Sequence, residues 1–195
     1  MLELLISPGK YVSGFDNIGK LGEEVKKVGN KALILVDKNI ENIVYKGIES
    51  IKALGETEFT YFNGECSFEE ANRITNLIIE KKCDVIVGLG GGKTMDTAKA
   101  AGYDARVKIV TVPTIAATCA SWASHSAMYT EEGIAHSYYS IYKNADLLFM
   151  DKKICFEAPV RYIVSVMVDT LAKWIETKAY TGPIEDKNTE LEIAI

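Results

Sequence analysis

The residues best suited to chemistry lie in one run, Val85-Ile86-Val87-Gly88-Leu89-Gly90-Gly91-Gly92-Lys93-Thr94-Met95-Asp96-Thr97-Ala98-Lys99. A short apolar segment ends in four glycines within five residues, and a helix-forming segment follows at once. That order, strand then glycine turn then helix, makes an anion site. Glycines let the backbone approach a phosphate, and the free N–H groups and positive dipole end of the helix face it. Lys93 adds a formal charge at the same place. The alternative is a tight strand-to-helix turn that binds nothing.

Two nucleotide motifs fail here by spacing. The dinucleotide fingerprint needs glycines at i, i+2 and i+5. From Gly88 the third place is Lys93, and from Gly90 it is Met95. The phosphate loop of nucleoside triphosphatases needs a glycine five residues before its Gly-Lys-Thr, where this chain has Val87.

Other candidates are scattered. Asp37 follows the apolar run Leu33-Ile34-Leu35-Val36. An acid at that strand end accepts hydrogen bonds from a ribose diol and repels a 2′-phosphate, which favours NAD over NADP; the alternative is an acid that caps the next turn. Residues 114–126 form a small-residue stretch rich in hydroxyls after Pro113, beginning with Thr114, and those hydroxyls can donate to phosphate or to an amide. His125 and His136 are eleven apart, too far for an i,i+4 metal pair, and read as ordinary loop or hairpin residues. Asp169 interrupts the apolar run 163–168. A divalent ion would offset the cost of burying it, and so would an ion pair with Lys173 at i+4 on a solvated face.

Elements must bring these residues together. Lys31–Val36, 57–62, 84–87 and 107–112 are short and rich in branched or aromatic residues, as strands are. Between them, 17–28, 40–54, Phe68–Lys81 and 93–102 carry apolar residues at helical spacing. In Phe68–Lys81, Ala71, Ile74, Leu77 and Ile78 share a face, with Ser67 as N-cap and Glu70 completing a capping box. This alternation predicts an α/β fold, a Rossmann-like, doubly wound parallel sheet covered by helices on both faces. Residues 127–130 and 134–140 flank Glu131-Glu132-Gly133 as a hairpin, and Leu147-Leu148-Phe149-Met150 reads as a further buried strand closed by Asp151. From Val160 the period is helical to Tyr180, closed by Gly182-Pro183, and 188–195 begins another helix. The expected division is 1–158 as the α/β nucleotide-binding domain and 159–195 as the first helices of a truncated, all-helical second domain.

Composition narrows the class. Among 195 residues 48% are apolar and 25% charged, ordinary for a chain that buries a core. The net charge of −5 argues against a nucleic-acid partner. No apolar run approaches the ~18 residues of a membrane span. The four cysteines show no Cys-x-x-Cys pairing, so a reduced, cytoplasmic protein is expected.

The spelling Gly-Gly-Gly-Lys-Thr-x-Asp-Thr-Ala-Lys at 90–99 resembles the glycerol dehydrogenase branch of the iron-containing (group III) alcohol dehydrogenases. Ile6-Ser7-Pro8-Gly9-Lys10-Tyr11-Val12 resembles that family's opening strand, and Val112-Pro113-Thr114-Ile115-Ala116-Ala117-Thr118 its second cofactor loop. Ala158-Pro159 through Asp169-Thr170-Leu171-Ala172-Lys173-Trp174-Ile175-Glu176 resembles the start of its helical domain, so the likeness spans the whole chain as an N-terminal half.

The resemblance implies an oxidoreductase that passes hydride between a polyol or small alcohol and NAD, assisted by a divalent metal, zinc in preference to iron. Gly91, Gly92 and Lys93 would hold the pyrophosphate, with Asp96 in the same motif, and Asp37 the adenosine ribose. Thr114 and Thr118 would serve the nicotinamide side, with His125 in the cofactor loop and Tyr129 near the cofactor. Asp169 would be one metal ligand of three, the two histidines coming from later helices absent here. A homo-oligomer or a complementary helical half is the expected partner, and an NAD-binding module without activity of its own is the alternative. Glycerol-1-phosphate dehydrogenase and dehydroquinate synthase share the architecture and offer other chemistry. Three positions depart from the glycerol dehydrogenase pattern: Cys119 replaces a polyol-contacting aspartate, Ala123 a serine and His125 a leucine. Cysteine cannot accept from a diol as a carboxylate does, which puts glycerol itself in doubt. With no adjacent base, Cys119 is expected to be a buried spectator.

Overall fold

A computed structural model describes residues 7–116 and 119–181. Six parallel strands form one sheet in the order β1-β8-β5-β4-β2-β3. They are β1 Tyr11–Gly14, β2 Lys31–Val36, β3 Glu56–Tyr61, β4 Val85–Gly90, β5 Lys108–Pro113 and β8 Leu147–Asp151. The helices are α1 Leu21–Lys26, preceded by a 3-10 turn Ile18–Lys20, then α2 Glu41–Leu54, α3 Phe68–Lys81, α4 Gly92–Asp104, α5 Lys152–Glu157 and α6 Val160–Thr181. This is the doubly wound, Rossmann-like sheet that the alternation predicts. Among the described residues the first strand is Tyr11–Gly14, which overlaps the end of the expected 6–12, while Ile6, Gly182-Pro183 and the helix expected at 188–195 lie outside the described residues.

The pleat sorts the core into two layers. On β2, Ala32, Ile34 and Val36 face α1 and α2, packing with Leu21, Val25, Val44, Ile48 and Ile51. Leu33 and Leu35 face the other way, against Ile74 and Ile78 of α3 and Ala98 and Ala101 of α4. Strands buried on both faces read as unbroken apolar runs, and Lys31–Val36 does. Ser67 caps α3 by accepting from the Glu70 N–H at 3.1 Å. The capping box is only half made. The Glu70 carboxylate accepts instead from the Asn63 N–H at 3.1 Å and from Arg73 at 2.7 Å, a charged partner that outbids the backbone N–H of the cap.

The chain runs from β2 outward to β3, then returns across β2 to β4 and continues to β5 and β8. The order therefore reverses between β2 and β4, and a crevice opens there beyond the carboxyl ends of the strands. Val36 pairs with Leu89, and the Asp37 N–H donates to the Leu89 carbonyl at 3.3 Å. Gly90 pairs with Pro113, and the Thr114 N–H donates to the Gly90 carbonyl at 3.0 Å.

Between β5 and β8 the chain makes a separate antiparallel hairpin, β6 His125–Tyr129 and β7 Ala135–Ser140. Its turn uses Gly133 at φ +81°, a left-handed conformation that favours glycine. The hairpin lies on α4 and on the loop before α3: Met128 packs with Cys66, Ala71 and Ala100, and the Tyr129 N–H donates to the Cys66 carbonyl at 2.8 Å. Helix α6 exposes Val164, Met167, Val168, Leu171, Trp174 and Ile175, so the run 163–168 is not a buried one among the described residues. No described helix is long and apolar enough to cross a membrane.

Gly88 and Gly90 let α4 lie close on β4. A Cβ on Gly88 would stand 2.6 Å from the Ala98 Cβ, and one on Gly90 2.6 Å from the Thr94 hydroxyl. Gly88→Ala should therefore lower stability by about 1–3 kcal/mol, read as a lower urea midpoint with an unchanged slope.

Candidate nucleotide site

Helix α4 begins directly at the end of β4, with Gly91 as its N-cap and no side chain capping it. Its first N–H groups thus lie at the mouth of the crevice between β2 and β4. Gly91 and Gly92 differ from the two glycines before them. Among the described residues, a Cβ on Gly91 would meet only Ile115 and one on Gly92 only Ala120, each at 3.4 Å. Neither glycine has a positive φ. Their value is the cleared space in front of the helix, which a side chain would fill. An uncapped helix start with a cleared approach fits a pyrophosphate.

Asp37 stands at the carboxyl end of β2, beside this space. One carboxylate oxygen, Oδ1, caps the turn that follows, accepting from the Asn39 N–H at 2.9 Å and from the Asn39 side chain at 3.0 Å. The capping alternative is thus realised through Oδ1. Thr114 is buried at the end of β5, on the other side of Gly90. Asp37, Gly91, Gly92 and Thr114 therefore share one sheet edge. Thr118 lies outside the described residues.

Lys93 is not turned to open space. Its ammonium is 2.7 and 2.5 Å from the two carboxylate oxygens of Glu65 and lies 4.7 Å from the centre of the Tyr129 ring. Asp96 is further inside. Its carboxylate pairs with Lys99 at 2.8 Å and accepts from the Ala127 N–H at 3.2 Å, while the Asp96 carbonyl accepts from the Ser126 hydroxyl at 2.7 Å. Burial pushes the Asp96 carboxyl above its ordinary value, against the lowering pull of Lys99 and the Ala127 N–H. Its bonds serve the fold, and the face it offers a ligand is small. His125 and Tyr129 lie on the hairpin that this network seats. The His125 imidazole packs edge-on to Tyr138 at 5.5 Å, and its pKa is lowered first by burial and then by the Lys99 charge. His136 lies on β7, against Ser137 and Phe68.

Two residues with structural weight at the site escaped the sequence reading. Lys99 is 1% exposed, and besides Asp96 its ammonium donates to the carbonyls of Ala123 at 3.1 Å and His125 at 2.5 Å. Its signal was a lysine inside the small-residue run Thr97-Ala98-Lys99-Ala100-Ala101-Gly102, which has no solvated face. Glu65 had no local signal, because its partner lies 28 positions on.

Cys119 corrects an expectation. It is exposed, and Lys173 of α6 donates to its sulfur at 3.5 Å. The thiol sits on an open loop that α6 passes, so it is not a buried spectator. Asp169 takes the ion-pair alternative, 3.2 Å from Lys173 with nearly half of its side chain exposed. The described residues contain no group of three or more His, Cys, Asp or Glu that could hold a metal ion. A single paired carboxylate does not fit a metal centre on its own.

Residues 8–152 match the family model for iron-containing alcohol dehydrogenase. The chain belongs to the iron-containing alcohol dehydrogenase family. It is 38% identical over 180 residues to a glycerol dehydrogenase of Thermotoga maritima, covering 92% of this chain and 49% of that one. To a glycerol dehydrogenase of Citrobacter freundii it is 38% identical over 183 residues, covering 92% and 50%. The crystal structure of a probable glycerol dehydrogenase from Sinorhizobium meliloti superposes with a TM-score of 0.84 at 33% identity, over 91% of this chain and 49% of that chain. The chain thus spans about half the length of the relatives it matches.

The network carries two expected outcomes. Lys99→Met leaves the Asp96 carboxylate buried without its cation and should cost about 3–5 kcal/mol by urea unfolding, and Asp96→Leu added to it should restore most of that loss. For His125, the folded pKa lies below the unfolded value of about 6.5. The unfolded chain therefore binds the extra proton first, and stability should rise with pH through the window just below that value and fall on acidification. His125→Asn should flatten this part of a plot of melting temperature against pH.

Proposed function

We propose that this chain supplies the nucleotide-binding half of an NAD-dependent alcohol or polyol dehydrogenase. The observation that carries the reading is the meeting of Asp37, the uncapped Gly91-Gly92 start of α4 and Thr114 at the point where strand order reverses. Residues 1–158 make up this half in our reading, and 159–195 open a helical second domain.

When bound, NAD would supply the hydride acceptor. The α4 N–H groups would hold the pyrophosphate, and Asp37 would accept from the ribose diol through its oxygen not engaged with Asn39. Thr114 and Thr118 would orient the nicotinamide side, and the hairpin with His125 and Tyr129 would cover it. Lys93, now on Glu65, and Asp96, now on Lys99, would act at the edge of this site. Cys119 would face the substrate. A thiol there takes no diol hydrogen bond as an acid would, which favours a small alcohol or a polyol other than glycerol.

A divalent ion, zinc in our reading, would need further ligands from outside the described residues beside Asp169. A second copy of the chain or a complementary helical half could bring them. The free thiols suit a reducing compartment, and we read the protein as cytoplasmic. A module that binds NAD without turning over is the second reading, favoured by the ion-paired state of Asp169.

Calorimetric titration of the chain with NAD and NADP tests the nucleotide assignment. NAD should bind more tightly than NADP. Asp37→Arg should weaken NAD roughly tenfold or more, as expected for lost hydrogen bonds to a charged acceptor, and reverse the preference. Unchanged NAD affinity in Asp37→Arg would remove Asp37 from the site.

A further inference from the structure

We propose that Glu65 competes with the nucleotide's phosphates for Lys93 and so sets how tightly the cofactor is held. This rests on the reading of the α4 start as the nucleotide site. Lys93 is the second residue of α4, beside the cleared ground at Gly91 and Gly92. Its ammonium is the formal cation of the glycine motif, yet both oxygens of the Glu65 carboxylate are on it, at 2.7 and 2.5 Å. Glu65 reaches Lys93 from the loop between β3 and α3, two residues before the Ser67 cap.

The hairpin backs both members of the pair. The Lys93 ammonium lies over the Tyr129 ring, and the hairpin turn backs onto the acid so closely that a Cβ on Gly133 would stand 3.2 Å from Glu65 Oε1. The pair is nonetheless open to exchange, with 40% of the Lys93 side chain and 30% of the Glu65 side chain exposed. A phosphate arriving at the helix start gains from Lys93 only what it offers beyond the carboxylate already there. It also meets that carboxylate's charge. Glu65 is thus a positioning residue whose effect falls on anionic ligands.

The test is NAD binding to the full chain and to Glu65→Gln, which keeps the side chain's shape and removes its charge. For a half-exposed pair the gain in affinity should be about fivefold, with a steeper loss of binding as salt is raised. The gain should vanish when Lys93→Met is added, and adenosine, which lacks phosphate, should bind both proteins alike. An unchanged or weaker affinity in Glu65→Gln overturns the proposal, as does an equal gain for adenosine. Glu65→Ala serves as the second variant if Glu65→Gln does not fold to the wild-type melting temperature. Folded wild-type chain that binds no NAD removes the nucleotide reading, and this inference with it. Wild-type chain that binds while the variant shows no gain removes this inference alone.

Discussion

A lysine ammonium buried to 1% exposure is the constraint around which the site is arranged. An unpaired charge at that depth would be prohibitive, so its hydrogens must all find acceptors. Lys99 finds three, the Asp96 carboxylate and the carbonyls of Ala123 and His125. Two of the three belong to the segment that leads into β6. Any other seating of the hairpin would leave a charge stranded in the core. What the pair contributes is position more than net stability, since burying two ions costs about as much as their attraction returns. The start of α4 and the hairpin that carries His125 and Tyr129 are thereby made one piece.

That piece sits where the sheet reverses. The four glycines of the motif divide into two pairs with different physical duties. Gly88 and Gly90 let α4 lie against β4, with Ala98 and Thr94 where their side chains would be. Among the described residues, Gly91 and Gly92 meet only Ile115 and Ala120, and at ordinary contact distance. The first pair sets the distance of helix from strand, and the second keeps the approach to the helix clear. Neither duty calls for left-handed backbone.

The sheet and its helices were legible in the sequence because strands buried on both faces are unbroken apolar runs. Lys31–Val36 is one, and it appears with those bounds. The hairpin was legible through Glu131-Glu132-Gly133, though β6 starts at His125, two residues before the expected strand. What stayed hidden is which charged partner each acid takes. The Glu70 carboxylate chose Asn63 and Arg73, the latter three residues along the same helix, over its cap, and Lys93 chose Glu65. The capping pattern does not rank the cap N–H against a nearby guanidinium, and Glu65 meets Lys93 only once the loop before α3 and the start of α4 have assembled. Cys119 was misjudged for the same reason, since its exposure follows from where α6 passes and not from its own neighbours.

Among the described residues, strand β1 pairs with β8 alone, with Tyr11 opposite Leu148 and Gly14 opposite Asp151. Asp151 then holds the turn after β1, accepting from the N–H groups of Asp16 at 3.0 Å and Ile18 at 2.8 Å. Of the six strands of this sheet, the earliest in sequence is therefore paired with the latest. At roughly 5–20 residues per second of synthesis it waits on the order of ten seconds for its neighbour to emerge. During that wait its N–H and C=O groups have no ladder, and the 3-10 turn that leads into α1 has no acid to hold it. Closing a contact across nearly the whole α/β unit costs loop-closure entropy that the nearer pairings of β2, β3 and β4 do not.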